Sequence, residues 1–269
     1  MSGITTPIIF VPHGGGPMPL LNEPNHRSLI HFLKNIGSKL GQPKAILVIS
    51  AHWEADIATT TSADNPDVIY DYSGFPAESY KLTYPAPGNP ELAQHVTQLI
   101  NNYGLSASTN ATRGLDHGTF VPLTLMYPLA NIPVVQLSLV NTLDPQHHID
   151  IGKAIGKLRE QGVLIVGSGF SFHNMNALQL DSEEVAHKSQ LFDTWLNHVI
   201  TSNSLSIQQK EDALIQWKKA PKALFSHPRE EHLLPLHVCF GAAISSNATA
   251  INVFDEFMYD AKVSAFLWQ

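Results

Sequence analysis

The sequence of 269 residues has a single cysteine, Cys239, and can therefore form neither an internal disulfide nor a cysteine-built zinc site. Its apolar neighbours Val238 and Phe240 suit a packed thiol, and one cysteine in a chain of this size suits a reducing compartment. Charged residues are scarce at 14%, no Lys/Arg run occurs, and the net charge is −7. That leaves no electrostatic footprint for nucleic acid or for an anionic membrane. No stretch approaches the ~20 apolar residues of a membrane span. The start, Met1-Ser2-Gly3-Ile4, shows no basic segment leading into an apolar one, so a cytoplasmic protein is expected. Also absent are a Gly-x-Ser-x-Gly elbow, a Gly-x-x-x-x-Gly-Lys-Ser/Thr loop, a Gly-x-Gly-x-x-Gly turn and a His-Glu-x-x-His helix. The usual serine-hydrolase, nucleotide-binding and zinc-protease readings lose their support. With 43% hydrophobic residues the chain nevertheless has ample material for a core, and disorder is excluded as its main state.

Short apolar runs alternate with segments of helical period. This predicts an α/β fold in one domain, residues 1–269, with a central, largely parallel mixed sheet flanked by helices on both faces. Residues 8–11 and 45–49 read as buried strands around a helix at 27–40, and residues 134–139 and 163–166 as a second pair around Ile149, Ala154, Ile155 and Leu158. Each set resembles a βαβ unit. Between them, residues 70–90 hold Gly74-Phe75-Pro76 and the proline-rich Tyr84-Pro85-Ala86-Pro87-Gly88-Asn89-Pro90, which forbid a regular helix and suit a pocket wall. Further helices are expected at 91–103, 183–201, 208–218 and 233–243, with a final strand at 250–254.

What the sequence does have is histidine, 14 residues against 16 lysines and arginines combined. In open α/β sheets ligands gather beyond the carboxyl ends of the strands. His13 follows the first strand in Pro12-His13-Gly14-Gly15-Gly16-Pro17, His52 the second in Ser50-Ala51-His52-Trp53, and His173 the fourth in Phe172-His173-Asn174. Any one of them alone could be a turn residue, but three at strand ends point to a joint site. His117, after Asp116, and His232, after Glu231, lie near helix starts; both could face a cleft, and His117 could instead be a helix-capping neighbour of Asp116. His237, five residues beyond His232, is off its helical face and is expected to pack. His26, His31, His95, His147, His148, His187 and His198 are expected at the surface or satisfied locally, with His227 a pocket-rim candidate. Converging neutral imidazoles suit Zn²⁺, Fe²⁺ or another first-row divalent ion.

The ordered set Pro12-His13-Gly14-Gly15-Gly16-Pro17, Ser50-Ala51-His52-Trp53, Gly74-Phe75-Pro76 with Tyr80, Tyr84-Pro85-Ala86-Pro87-Gly88, Asp116-His117-Gly118, His173-Asn174 and Glu231-His232-Leu233-Leu234-Pro235-Leu236 resembles the class III extradiol ring-cleaving dioxygenases, in their 4,5-DOPA dioxygenase branch. The likeness covers nearly the whole chain. One departure is Pro12 before the first histidine and an extra glycine before Pro17, where many members have Gly-His-Gly-Ser/Ala-Pro. The resemblance implies His13, His52 and His232 as metal ligands, His173 as proton-transferring base assisted by His117, and His173 as a fourth ligand in a zinc form. A related branch uses a glutamate as third ligand, and Glu230 and Glu231 adjoin His232. It further implies Fe²⁺ for activity, with Zn²⁺ plausible in the isolated protein, and a small aromatic diol plus O₂ as partners, giving a ring-opened semialdehyde. Phe75, Tyr80 and Tyr84 are candidates to stack on the ring, and Arg113 and Arg229 to meet an acidic substituent. A homo-oligomer is compatible with all of this. Two other readings stay open from the residues: a zinc-dependent hydrolase, and a non-enzymatic metal- or ligand-binding protein on the same fold.

Overall fold

Strands β1 (Ile8–Pro12), β2 (Ala45–Ala55), β3 (Ala58–Thr61), β4 (Ala107–Asn110), β5 (Val134–Val140), β6 (Val163–Gly169), β7 (Ala250–Met258) and β8 (Ala261–Trp268) form one sheet in the order β4-β3-β5-β2-β6-β1-β8-β7 in the computed structural model, which describes residues 5–179 and 182–269. Helices α1 (Arg27–Leu40), α2 (Pro90–Asn102), α3 (His117–Met126), α4 (Pro145–Ile155), α5 (Ser182–Thr201), α6 (Ile207–Ile215), α7 (Ala223–Ser226) and α8 (Leu234–Ser245) connect them. The expected α/β class holds. The centre, β5-β2-β6-β1, is parallel, while β8 runs antiparallel to β1 and β7, and β3 to β5. Among the described residues no helix is long and apolar enough to cross a membrane.

The central strands are continuous apolar runs because both of their faces are covered. Ile8, Phe10, Leu47, Ile49 and Ile165 point into one core with Ile151 and Ile155 of α4 and Val238 and Phe240 of α8. Their neighbours Ile9, Val11, Ile46, Val48, Leu164 and Val166 point into a second core with Leu29 and Leu33 of α1 and Phe120 and Leu123 of α3. The period of two along each strand thus divides one apolar string between two layers. Cys239 is buried as expected, its thiol against the Ile9 carbonyl at 3.5 Å. His237 also packs, with ring nitrogens 3.0 and 3.2 Å from the Leu214 and Leu233 carbonyls.

The order and extent of several elements differ from the sequence reading. Neither predicted βαβ unit joins adjacent strands: β6 lies between β1 and β2, and β2 lies between β5 and β6, so the two crossovers interlock. The helix expected at 208–218 ends at Ile215 and continues as a separate tight turn at Trp217–Lys219. The last strand extends to Met258 and turns back as β8, which the sequence did not reveal. The hairpin turn is Tyr259-Asp260, both residues at positive φ (49° and 63°), without the glycine that usually marks such a turn.

One buried carboxylate makes stability depend on pH. Asp193 of α5 is 2% exposed, and burial pushes its carboxyl up to about 6. Ionisation is therefore harder in the folded than in the unfolded chain, so the cost is absent below about pH 4, grows to pH 6 and is constant above. Asp193→Asn is expected to stay close to the parent at pH 4 and to exceed it by about 3 kcal/mol at pH 7, at ~1.4 kcal/mol per unit. Urea unfolding at the two pH values checks this; an equal gain at both would sink it.

Candidate metal centre

The site lies where β1, β2 and β6 end. His13 stands one residue past β1. The turn after it needs Gly14 at φ +86°, where a Cβ would lie 2.3 Å from Pro19 Cγ. His52 does not follow β2 but sits within it. The register against β5 jumps between Ile49 and Glu54, and this bulge turns His52 toward the site. His232 lies in the turn before α8, held to the sheet by the Phe170 amide, which donates to the His232 carbonyl at 2.9 Å.

The three imidazoles meet through Nε2: His52 Nε2 is 3.0 Å from His13 Nε2 and 3.2 Å from His232 Nε2. Each Nδ1 has its own partner. Ser168 Oγ donates to the Gly118 carbonyl, so it accepts from His13 Nδ1 at 3.1 Å. Glu231 Oε1 lies 2.9 Å from His232 Nδ1, and Asp71 Oδ2 3.7 Å from His52 Nδ1. With the Nδ1 protons of His13 and His232 committed to these oxygens, and Asp71 the carboxylate facing His52 Nδ1, the converging Nε2 atoms present their lone pairs. Burial, reinforced by the neighbouring imidazoles, holds His13 and His52 well below the usual histidine range. Burial also lowers His232, to about 4, against the opposing pull of Glu231. All three are neutral near pH 7, the form that binds metal.

The donor set fits a first-row divalent ion. At metal–nitrogen bonds of about 2.1 Å, nitrogens on one octahedral face stand about 3.0 Å apart and tetrahedral ones about 3.4 Å; the observed 3.0 and 3.2 Å fall in that span. Glu231 stands behind His232 rather than among the three, and Glu230 is bonded to Lys218 at 2.8 Å. Although burial opposes it, hydrogen bonds from His173 and His232 hold the Glu231 carboxyl far below the usual carboxylate range.

His173 stacks on His232, ring centroids 3.4 Å apart, with Nδ1 3.4 Å from Glu231 Oε1. Its nitrogens group with Glu231 and His232, not with the His13, His52 and His232 set. His117 opens α3, which Asp116 caps by accepting from the Thr119 amide, so the capping role and the site role coexist. The His117 ring lies 3.8 Å from His52, and its Nδ1 bonds Asp71 Oδ1 at 2.8 Å. Asp71 therefore steadies both His52 and His117. It lies in the irregular 70–90 segment, and no spacing in the sequence marks it.

A cavity of about 350 Å³ opens on these histidines. Phe75 lines it, but Tyr80 and Tyr84 do not. Tyr80 sits at the surface with its hydroxyl 3.4 Å from the Phe75 amide, and Tyr84 is 2% exposed in the core, donating to the Tyr127 carbonyl. Tyr72 takes their place, 5.5 Å from Phe75 and 5.8 Å from His117. Arg113 and Arg229 do not line it: Arg113 bonds Asp116 at 3.2 Å, and Arg229 pairs with both oxygens of Glu54 at 2.6 and 2.7 Å and lies 3.3 Å from Glu231 Oε2. His26, expected to be satisfied locally, is so, but from inside the cavity wall, where its Nε2 accepts from the Gly15 amide. His227 is buried beneath Ser171 rather than on the rim.

The sequence model described as the catalytic LigB subunit of aromatic ring-opening dioxygenase matches residues 7–265. The chain belongs to this family. It is an aromatic ring-opening dioxygenase, an oxidoreductase. It is similar to 4,5-DOPA dioxygenase extradiol of Beta vulgaris, 44% identical over 87% of this chain and 85% of that one. The protein of the same name in Escherichia coli K12 is 32% identical over 90% and 87% of the two chains. The dioxygenase tasH of Hapsidospora irregularis is 39% identical over 88% and 78%. The crystal structure of an uncharacterized protein from Escherichia coli K12 superposes with TM-score 0.76 at 26% identity, over 97% of this chain and 99% of that one.

Close packing behind His52 yields a prediction. A Cβ on Gly118 would lie 2.6 Å from Ser50 Oγ and 3.1 Å from His52 Cδ2. Gly118→Ala is expected to displace His52 and weaken metal binding about 10- to 100-fold, the size of an outer-shell lesion. Competition with a chelator measures it; unchanged affinity in a folded variant would refute the close-packing argument.

Proposed function

We propose that the chain is an Fe²⁺-dependent extradiol dioxygenase of a substituted catechol, the class to which DOPA belongs. The ring opens between a hydroxylated carbon and its unhydroxylated neighbour, and both atoms of O₂ enter a semialdehyde acid of the muconic type. The observation that supports this reading is the convergence of three Nε2 atoms at the mouth of a cavity whose wall also carries His117 and His173. His13, His52 and His232 would hold the ion, and Fe²⁺, when bound, supplies the electron exchange between catechol and dioxygen that Zn²⁺ lacks.

The remaining chemistry falls to the chain. Glu231 occupies His173 Nδ1, which leaves Nε2 of that ring to take a phenolic proton and later return it. Asp71 accepts from His117 Nδ1 and fixes that ring in the same tautomer, with its Nε2 available to the second catechol oxygen. Stacking on His232 and the Glu231 contact keep His173 in place without recruiting it to the ligand set, which favours a base over a fourth ligand.

The test is anaerobic reconstitution with Fe²⁺ beside a Zn²⁺ control, then oxygen uptake and product absorbance over a panel of catechols. Iron-dependent uptake of one O₂ per yellow ring-opened product supports the reading. Stoichiometric iron without turnover on any catechol, or ester hydrolysis by the zinc form, overturns it.

A further inference from the structure

The cavity wall has two unlike parts. Five histidines make up one, with the Phe170 ring 5.5 Å from His13, and Phe172, Val185, Met258, Ala261 and Val263 make up an apolar one. Among the described residues that line it there is no Lys, Arg, Asp or Glu. Its remaining polar side chains are already engaged. His26 accepts from the Gly15 amide and bonds Glu23 through Nδ1 at 2.7 Å, and the Tyr72 hydroxyl donates to the Ser79 carbonyl. Tyr259 donates to Met18 Sδ; Asn174 donates to the Phe225 carbonyl and accepts from the Asn176 and Ala177 amides. The two arginines nearest the histidine motifs lie outside the lining, Arg113 tied to Asp116 and Arg229 neutralised by Glu54 and Glu231.

We propose that the catechol accepted here carries an uncharged, apolar substituent, an alkyl or aryl group, rather than the carboxylate and ammonium of an amino acid. This rests on the ring-cleaving reading above and specifies its substrate. A carboxylate set against the apolar part of the wall would shed its water and meet no cation, and an ammonium would meet no carboxylate. Each methylene placed there instead leaves water for an apolar wall, which raises binding about three- to fourfold. The β7–β8 hairpin is what makes the wall apolar, since Met258, Ala261 and Val263 flank its turn.

The decisive comparison is between 4-propylcatechol and 3,4-dihydroxyphenylpropanoate, which differ in little more than the carboxylate, set within the series catechol, 4-methyl-, 4-ethyl- and 4-propylcatechol, with DOPA alongside. Two readouts are taken: kcat/KM of the Fe²⁺-loaded protein, and Kd of the Zn²⁺-loaded protein by calorimetry, which needs no turnover. The expected result is a rise of about three- to fourfold per methylene and, in both readouts, at least a roughly tenfold fall from 4-propylcatechol to the propanoate, equivalent to about 1.4 kcal/mol. Equal or better use of the propanoate or DOPA overturns the proposal while the dioxygenase stands. If the iron form cleaves none of them, the ring-cleaving reading falls, and the Kd order still decides what the cavity prefers. Binding of no catechol at all overturns both.

Discussion

Replacing His13 or His52 by alanine is expected to remove bound metal and ring-opening activity together. Each substitution deletes one of three convergent Nε2 atoms and leaves two, too few to hold a first-row ion against water and buffer. Loss of an outer partner costs about 10- to 100-fold in affinity, and loss of a ligand itself is expected to exceed about 10³-fold. The fold should survive, because both rings stand beyond the apolar part of the strands: Ile8, Ile9 and Phe10, and Ile46 to Ile49, keep their packing. Metal content by mass spectrometry, oxygen uptake and a melting curve on the same samples read the three consequences separately. A folded alanine variant that keeps one equivalent of metal would remove that histidine from the ligand set. His232→Ala belongs in the same experiment, paired with Glu231→Gln. The first should lose metal outright, while the second should only weaken its hold, because Glu231 acts through His232 Nδ1 at 2.9 Å.

Substitution of His173 should separate binding from chemistry. His173→Ala removes both the stack on His232 and the nitrogen; His173→Phe keeps a ring in the stack, 3.4 Å between centroids in the parent, and removes only the nitrogen. Both variants are expected to retain stoichiometric metal and to lose about 10²- to 10⁴-fold in kcat, the usual contribution of a positioned proton carrier. Catechol affinity of the zinc-loaded protein should stay close to that of the parent. Metal loss in the phenylalanine variant, which preserves the packing, would transfer His173 from proton carrier to ligand.

Several features were legible because local pattern and tertiary role coincide. Strands β1, β2, β5 and β6 stand out as apolar runs since both their faces are covered, and α1, α2 and α5 carry ordinary amphipathic periods. Strands β3 (ATTT) and β4 (ASTN) escaped because short threonine- and serine-bearing segments give no apolar signal. Strand β8 escaped because its hairpin turns on Tyr259-Asp260, without the glycine signature. In the site, Phe75 was legible from its loop, whereas Tyr80 and Tyr84 were misplaced: an irregular segment has no period, so nothing local says which aromatic ring faces inward. Tyr72 and Asp71 were missed for the same reason.

The sequence alone determined the α/β class, because runs buried on two faces cannot be disguised, and the gathering of histidines toward the carboxyl ends of the strands, because strands that share a direction end on one side of the sheet. Only the tertiary structure decided which strands are neighbours, since the two interlocked crossovers leave no mark on either strand or helix. It alone also decided the chemistry of each imidazole. Ser168, Asp71 and Glu231 orient His13, His117 and His232, and of these only Glu231 is adjacent in sequence to the ring it orients. The apolar part of the cavity wall, too, depends on the β7–β8 hairpin, whose second strand pairs with β1 and brings residues 258–263, more than 240 positions away in sequence, to the cavity that His13 lines. Hydrogen bonds and cavity walls join groups by distance in space, a quantity that a one-dimensional pattern does not contain.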